Sequence, residues 1–180
     1  MPVIPKRFKL LLRISETLST KANGILAAAG SAALLSGAFL FQSLGYAPCA
    51  MCTWQRYPHV LAIVAGALLV LGLRHPLIFG LGALAAATTT GLGAYHTGVE
   101  RDWWEGPTSC TGSGLDLSNM SVESLLPSAT DQSSGLVLCD EVVWEFLSFS
   151  MASWNAILSA ILTGIWLLAF FRSFKARHAQ

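Results

Sequence analysis

Four long apolar blocks alternate with short or polar connections along the chain, at about residues 24–47, 57–73, 76–95 and 152–171. As a helix, each is long enough to cross a hydrocarbon core of about 30 Å. The pattern predicts an all-α fold: one polytopic membrane four-helix bundle, with two outer loops at about 48–56 and 96–151. The first block is far longer than the roughly 7–15 apolar residues of a signal peptide, so it is expected to remain as a helix.

Ala29, Ala33 and Gly37 recur every four residues, a stripe expected to admit a neighbouring helix. Gly66, Gly80, Gly82, Gly91 and Gly93 suggest similar close contacts. Thr88, Thr89 and Thr90 can return hydrogen bonds to their own helix. Gln42 is a strongly polar side chain well inside an apolar block, read either as a contact between helices or as a partner for a lipid headgroup. The second loop differs in kind. Its Gly, Ser, Thr, Asn, Asp and Pro content from Gly106 to Gly135 argues for irregular, mobile chain. Leu115, Leu117, Met120, Val122, Leu125 and Leu126 interrupt that polarity, as a short amphipathic segment on the membrane or a self-collapsed loop would. Trp103, Trp104, Trp144 and Trp154 read as an aromatic belt at the interface.

Composition supports the membrane assignment. At 53% hydrophobic and 12% charged residues there is too little polar surface to coat a soluble globule. A formal net charge of +1 offers no electrostatic case for nucleic acid. The placement of charge carries more information than its sum. Lys6, Arg7, Lys9, Arg13 and Lys21 precede the first block, Arg74 lies between the second and third, and Arg172, Lys175 and Arg177 follow the fourth. With four crossings these segments share one side, which the positive-inside rule makes cytoplasmic, together with both termini.

All four cysteines then face outward, Cys49 and Cys52 in the first loop and Cys110 and Cys139 in the second. That compartment permits disulfides, and local spacing favours pairing Cys49 with Cys52 and Cys110 with Cys139. If a helix begins near Cys49, Cys52 lies about one turn in and Arg56 one turn further on the same face. A cation there biases a thiol toward thiolate, and a charge beside an apolar helix is costly unless it is used.

Three explanations from different classes fit two cysteine pairs on one face. A non-catalytic membrane protein would keep both as structural outer-face disulfides. A metal protein would gather the four thiolates around zinc, although Cys110 and Cys139 lack the close spacing of such sites, so no metal is expected. A redox enzyme would pass electrons between the pairs. The tiny ring of Cys49–Cys52 constrains almost nothing as a staple, and close-spaced dithiols are typically redox-active.

The segment Cys49-Ala50-Met51-Cys52 with Arg56, the stretch Ala94-Tyr95-His96-Thr97-Gly98-Val99-Glu100, and Cys139 followed by Trp144-Glu145-Phe146-Leu147 and Ser150-Met151 resemble the DsbB family of membrane thiol oxidases. The likeness spans nearly the whole chain. Gln55 departs from members that carry an acid just before the arginine, and the first loop is short. The resemblance implies a bacterial inner-membrane enzyme that reoxidises a periplasmic, thioredoxin-like (DsbA-like) thiol oxidase. Electrons would leave to a membrane quinone, ubiquinone or menaquinone. It further implies that the partner attacks Cys110, that Cys139 is released, and that electrons pass to Cys49–Cys52, with Cys52 reducing the quinone. A quinone ring needs a flat apolar slot and a hydrogen-bond donor; Arg56 is expected as the donor, Met151 as part of the slot, and His96 as a proton relay or interfacial anchor. His59 shares the approximate face of Cys52, but Arg56 already supplies the charge there.

Overall fold

The computed structural model describes residues 6–108, 110 and 137–178, with side chains from residue 19 onward. The apolar positions Leu115 to Leu126 of the expected amphipathic segment lie outside the described residues, as do the side chains of Lys6, Arg7, Lys9 and Arg13. Four helices carry the fold: α1 (Lys6–Ser43), α2 (Ala50–Val70), α3 (Pro76–Glu100) and α4 (Met151–His178). Each packs on its sequence neighbours, and α1 closes the ring against α4.

Three segments, Ser19–Ser43, Pro76–Glu100 and Met151–His178, are long and apolar enough to cross a membrane on their own. The second helix is missing from that set because it begins earlier than its apolar block. Its opening turns carry Trp54, Gln55, Arg56, Tyr57 and His59, which lower its hydropathy.

The helix ends follow from local chemistry. Cys49 adopts an extended conformation as the N-cap of α2, and its sulfur accepts the Cys52 N–H. At α3, Pro76 suits the first helical turn and the His75 side chain accepts the Leu77 N–H. A hairpin of β1 (Glu145–Phe146) and β2 (Phe149–Ser150) leads into α4, turning at Leu147 and Ser148, both with positive φ. That two-residue turn lacks the Asn-Gly type of signal that would have marked it in the sequence. Arg101 donates to the Ser148 carbonyl (3.0 Å) and Trp154 to the Phe146 carbonyl (3.1 Å), holding the hairpin to the bundle.

Away from the cysteines the core is built from Ala27, Ala28, Ala65, Leu69, Phe79 and Trp166. Small residues permit this packing, though not where the stripe in α1 places them. Ala29 and Ala33 are exposed and Gly37 has open space beside it. The close approach is instead one step around the helix, where Ala28 fits over Gly66 of α2; a Cβ on Gly66 would lie 2.2 Å from that of Ala28. Gly82 likewise receives the Trp166 ring, while Gly91 faces open space. Thr88 and Thr90 bond back to the Leu84 and Ala86 carbonyls as expected.

Candidate functional site

Capping α2 with Cys49 places the first cysteine pair at one end of the bundle. Cys52, one turn in, brings its sulfur to 3.1 Å from Cys49 Sγ, and its main-chain N–H lies 3.2 Å from the same atom. The two are free thiols here, whereas Cys110 and Cys139 are joined in a disulfide with their Cα atoms 5.4 Å apart. The expected Cys49–Cys52 bond is therefore open in the structure and the Cys110–Cys139 bond closed. The Cys139 N–H also donates to the Cys110 carbonyl at 2.6 Å.

The second pair is not held out on an exposed tip. Cys110 and Cys139 are buried in one apolar cluster with Cys49, Met51 and Val99, and with Cys52 and Val137 packed against it. The loop pair thus lies against the inner pair, as exchange between them requires. Burying sulfur and valine surface together removes apolar area from water, which favours the docked position.

His96, from the C-terminal end of α3, meets Cys49 from the other side, with Nε2 at 3.6 Å from the sulfur. Glu100, one turn on, brings Oε1 to 3.9 Å from the same nitrogen, and the Ser150 hydroxyl donates to its other oxygen. The Cys49 thiol is thereby held down at about 4. The hydrogen bond from the Cys52 thiol does most of this, against the cost of burial and with help from His96 and the Cys52 N–H. These contacts favour the thiolate on Cys49 over Cys52 in the reduced pair.

A polar chain runs inward from His96. Gln55 Nε2 lies 2.9 Å from His96 Nδ1 and 3.3 Å from the Met51 carbonyl, and Gln55 Oε1 accepts from Asn155 Nδ2 at 2.6 Å. Asn155 Oδ1 lies 2.9 Å from His59 Nε2, and the buried Thr89 hydroxyl reaches the Gln55 carbonyl and His59. Asn155 and the inward role of Thr89 went unread in the sequence. A polar residue inside the fourth apolar block was the available signal, since such a group in a membrane helix is costly unless it is partnered.

Beside the pair, α1, α2 and α4 enclose a groove of about 450 Å³ with mostly apolar walls. Cys52, Arg56, His59 and Met151 line it together with Phe41 and Trp144. Cys49 and His96 do not reach it; they border a small cavity of about 20 Å³ between the pair and Glu100, which Met151 also touches. Arg56 turns toward α1, donating to Gln42 Oε1 at 2.7 Å and lying 4.8 Å from the centre of the Phe39 ring. Gln42 thus takes the interhelical role. The Arg56 Nε is buried without a hydrogen-bond partner among the described residues.

Cys49, Cys52 and His96 are the one grouping among the described residues that gathers metal-ligand atoms, all within 4.8 Å. The four-cysteine zinc arrangement is not formed, because the Cys110 and Cys139 sulfurs are spent on each other.

Comparison with known proteins places these features in a lineage. The family model for disulfide bond formation protein DsbB matches residues 21–169. A disulfide bond formation protein B from Pasteurella multocida is 29% identical over 173 residues, covering 92% of this chain and 94% of that protein. One from Polaromonas naphthalenivorans is 34% identical over 151 residues, covering 80% and 88%, and one from Azoarcus sp. is 32% identical over 146 residues, covering 76% and 85%. No solved structure matches at a significant level. With two cysteine pairs gathered at one end of an apolar helical bundle, and a match running through all four helices, the chain belongs to the DsbB family of membrane thiol-disulfide oxidoreductases.

Proposed function

We propose that the chain reoxidises a periplasmic, thioredoxin-like dithiol oxidase and delivers the electrons to a membrane quinone through its two cysteine pairs. The observation that carries this reading is the two-sided placement of the inner pair: Cys49 packs with Cys110 and Cys139, while Cys52 lines the groove. In this reading the chain crosses a bacterial inner membrane four times, with both termini cytoplasmic and the cysteines outside, as the distribution of Lys and Arg supports.

The exchange steps balance as follows. A thiolate of the reduced partner attacks Cys110, the Cys110–Cys139 bond breaks, and the partner's second thiol resolves the mixed disulfide, leaving the partner oxidised and the loop pair as a dithiol. Cys139 then attacks Cys49 of the oxidised inner pair and Cys52 leaves as thiolate on the groove side. Attack by Cys110 on Cys139 releases Cys49, restores the loop disulfide and leaves Cys49 and Cys52 reduced.

The residues of the groove fit a quinone: its walls are apolar and broad enough for a flat ring, and the unpartnered Arg56 Nε is a donor in want of an acceptor. When bound, a quinone accepts two electrons and two protons. Arg56 would place positive charge beside the oxygen where negative charge develops, Met151 and Phe41 would exclude water, and Cys52 would present its sulfur. His96 and Glu100 border the pair on the opposite side, where they can hold a proton near Cys49.

Thiol trapping tests the whole reading. Mixed with a reduced thioredoxin-like partner, all four cysteines should cycle only when quinone is supplied. Two pairs that stay oxidised throughout would leave a non-catalytic protein with structural disulfides.

A further inference from the structure

We propose that Gln55 is a positioning residue that fixes His96 as its Nε2–H tautomer, directing that N–H at the Cys49 sulfur and withholding the ring as a metal ligand.

The argument starts at the Met51 carbonyl, which can only accept. Gln55 is 5% exposed and its side chain lies among partners that leave one amide orientation. The nitrogen must face Met51 O at 3.3 Å, since a flipped amide would set oxygen against oxygen. The oxygen then receives Asn155 Nδ2 at 2.6 Å, and Asn155 is held in that sense by Oδ1 against His59 Nε2 and the Ser159 hydroxyl. Gln55 Nε2 is also 2.9 Å from His96 Nδ1, so Nδ1 faces an N–H and must accept. A neutral imidazole has one donor and one acceptor, which leaves the hydrogen on Nε2. The surroundings of Nε2 agree independently: Cys49 Sγ at 3.6 Å and Glu100 Oε1 at 3.9 Å are both acceptors in their charged forms.

The consequence concerns metals as well as sulfur. Two cysteines and a histidine within 4.8 Å are the ligand set of a zinc site. Binding zinc through Nε2 requires the lone pair there and an Nδ1–H donating to an acceptor behind it. Gln55 offers an N–H at that place. The amide thus supports the histidine as hydrogen-bond donor to the thiolate and opposes it as a ligand. A carboxylate in the same position would accept an Nδ1–H and remove that opposition.

This inference rests on the proposed relay only in treating the reduced Cys49–Cys52 pair as a working state, and its readout needs neither partner nor quinone. Nitrogen NMR of labelled histidines in the full-length chain, in nanodiscs with the inner pair reduced, reads the tautomer directly; His96→Asn assigns the signal. Read at a pH high enough that the ring is neutral, the wild type should show His96 as its Nε2–H tautomer. Gln55→Glu, nearly isosteric, should place a proton on Nδ1 and raise zinc affinity of the reduced chain by about 10–100-fold, the usual worth of a partner behind a ligand. An Nδ1–H His96 in the wild type overturns the proposal, and that spectrum needs no variant to fold. Unchanged His96 signals and zinc affinity in a folded Gln55→Glu protein overturn it equally. A chain that failed to reduce quinone would sink the relay and leave this spectrum as it is.

Discussion

Cys49 Sγ accepts the main-chain N–H of Cys52 at 3.2 Å and lies 3.1 Å from the Cys52 sulfur. The main-chain donor favours the anion of the reduced pair on Cys49. Because the Cys49 thiol is lowered from 9.0 to about 4, the reduced chain should show one thiolate absorbance at neutral pH that disappears as pH falls through about 4. Its contribution to stability has a fixed sign. In the window between about 4 and 9 the unfolded chain holds the proton and the folded chain does not, so stability from this group is full above 9 and lost toward 4. Cys49→Ser should abolish both the absorbance and this part of the pH dependence. A thiolate signal surviving in Cys49→Ser and lost in Cys52→Ser would invert the assignment.

The docked position of Cys110 shapes the second expectation. At 6% exposure its sulfur must be uncovered before a protein partner can reach it. With a reduced partner whose second cysteine is replaced by alanine, the partner keeps no thiol to resolve the mixed disulfide, so the adduct between partner and Cys110 should accumulate and disappear on reduction. Mapping the adduct by mass spectrometry checks this, and an adduct on Cys49 would reverse the order of electron flow.

Topology gives a third. Fusions of a reporter active only in the periplasm should work after Trp54 and after Val143 and be silent after Arg74 and Arg177, following the placement of all Lys and Arg but Arg56 and Arg101 on one side. Activity after Arg74 would rule out four crossings.

Packing gives a fourth, away from the chemistry. A Cβ on Gly82 would lie 2.6 Å from the buried Trp166 ring, and neither the ring nor the helix backbone can withdraw freely. Gly82→Ala should cost about 1–3 kcal/mol of stability, the usual penalty of overpacking. Gly91→Ala, with open space at that position, serves as the control and should leave thermal unfolding nearly unchanged.

These tests sort what was legible in the chain from what was not. Apolar block length and the basic residues between blocks mark the helices because each reports a local cost, that of unpaired backbone or of charge in lipid. The register Cys49, Cys52, Arg56 could be read because helical spacing alone decides it. The network of Gln55, His96, Asn155 and His59 could not, since its members come from three helices and only packing brings them together. The stripe Ala29, Ala33, Gly37 misled for a related reason. Small residues every four positions mark a face that can be approached, and the neighbour chose the adjacent face carrying Ala28. Arg56 was read as a cation for Cys52, yet its hydrogen bond goes across to α1, because Gln42 offered an acceptor in a setting with few others.

Arg56 accordingly carries the last expectation, about the quinone. Its guanidinium spends NH1 on Gln42 and a face on Phe39, Nε has no hydrogen-bond partner among the described residues, and Arg56 lines the groove together with Cys52. A group that merely reached for headgroup phosphate would have no reason to turn to Gln42 and Phe39 of α1. Lysine could keep a bond to Gln42 and the positive charge, but it lacks the planar fork that leaves a second donor directed elsewhere. Arg56→Lys should therefore insert in the membrane and form the Cys110 adduct as the wild type does, while its apparent KM for quinone rises by about ten-fold, the worth of one charge-assisted hydrogen bond of about 1.5 kcal/mol. Gln42→Leu separates the two roles of the side chain. Freed from its partner on α1, Arg56 loses its fixed direction but not its donors, so KM should rise less than in Arg56→Lys. Steady-state oxidation of a reduced partner at varied quinone concentration decides the matter. Equal kinetics in wild type and a well-inserted Arg56→Lys protein would reduce Arg56 to a packing residue and leave the groove without its donor.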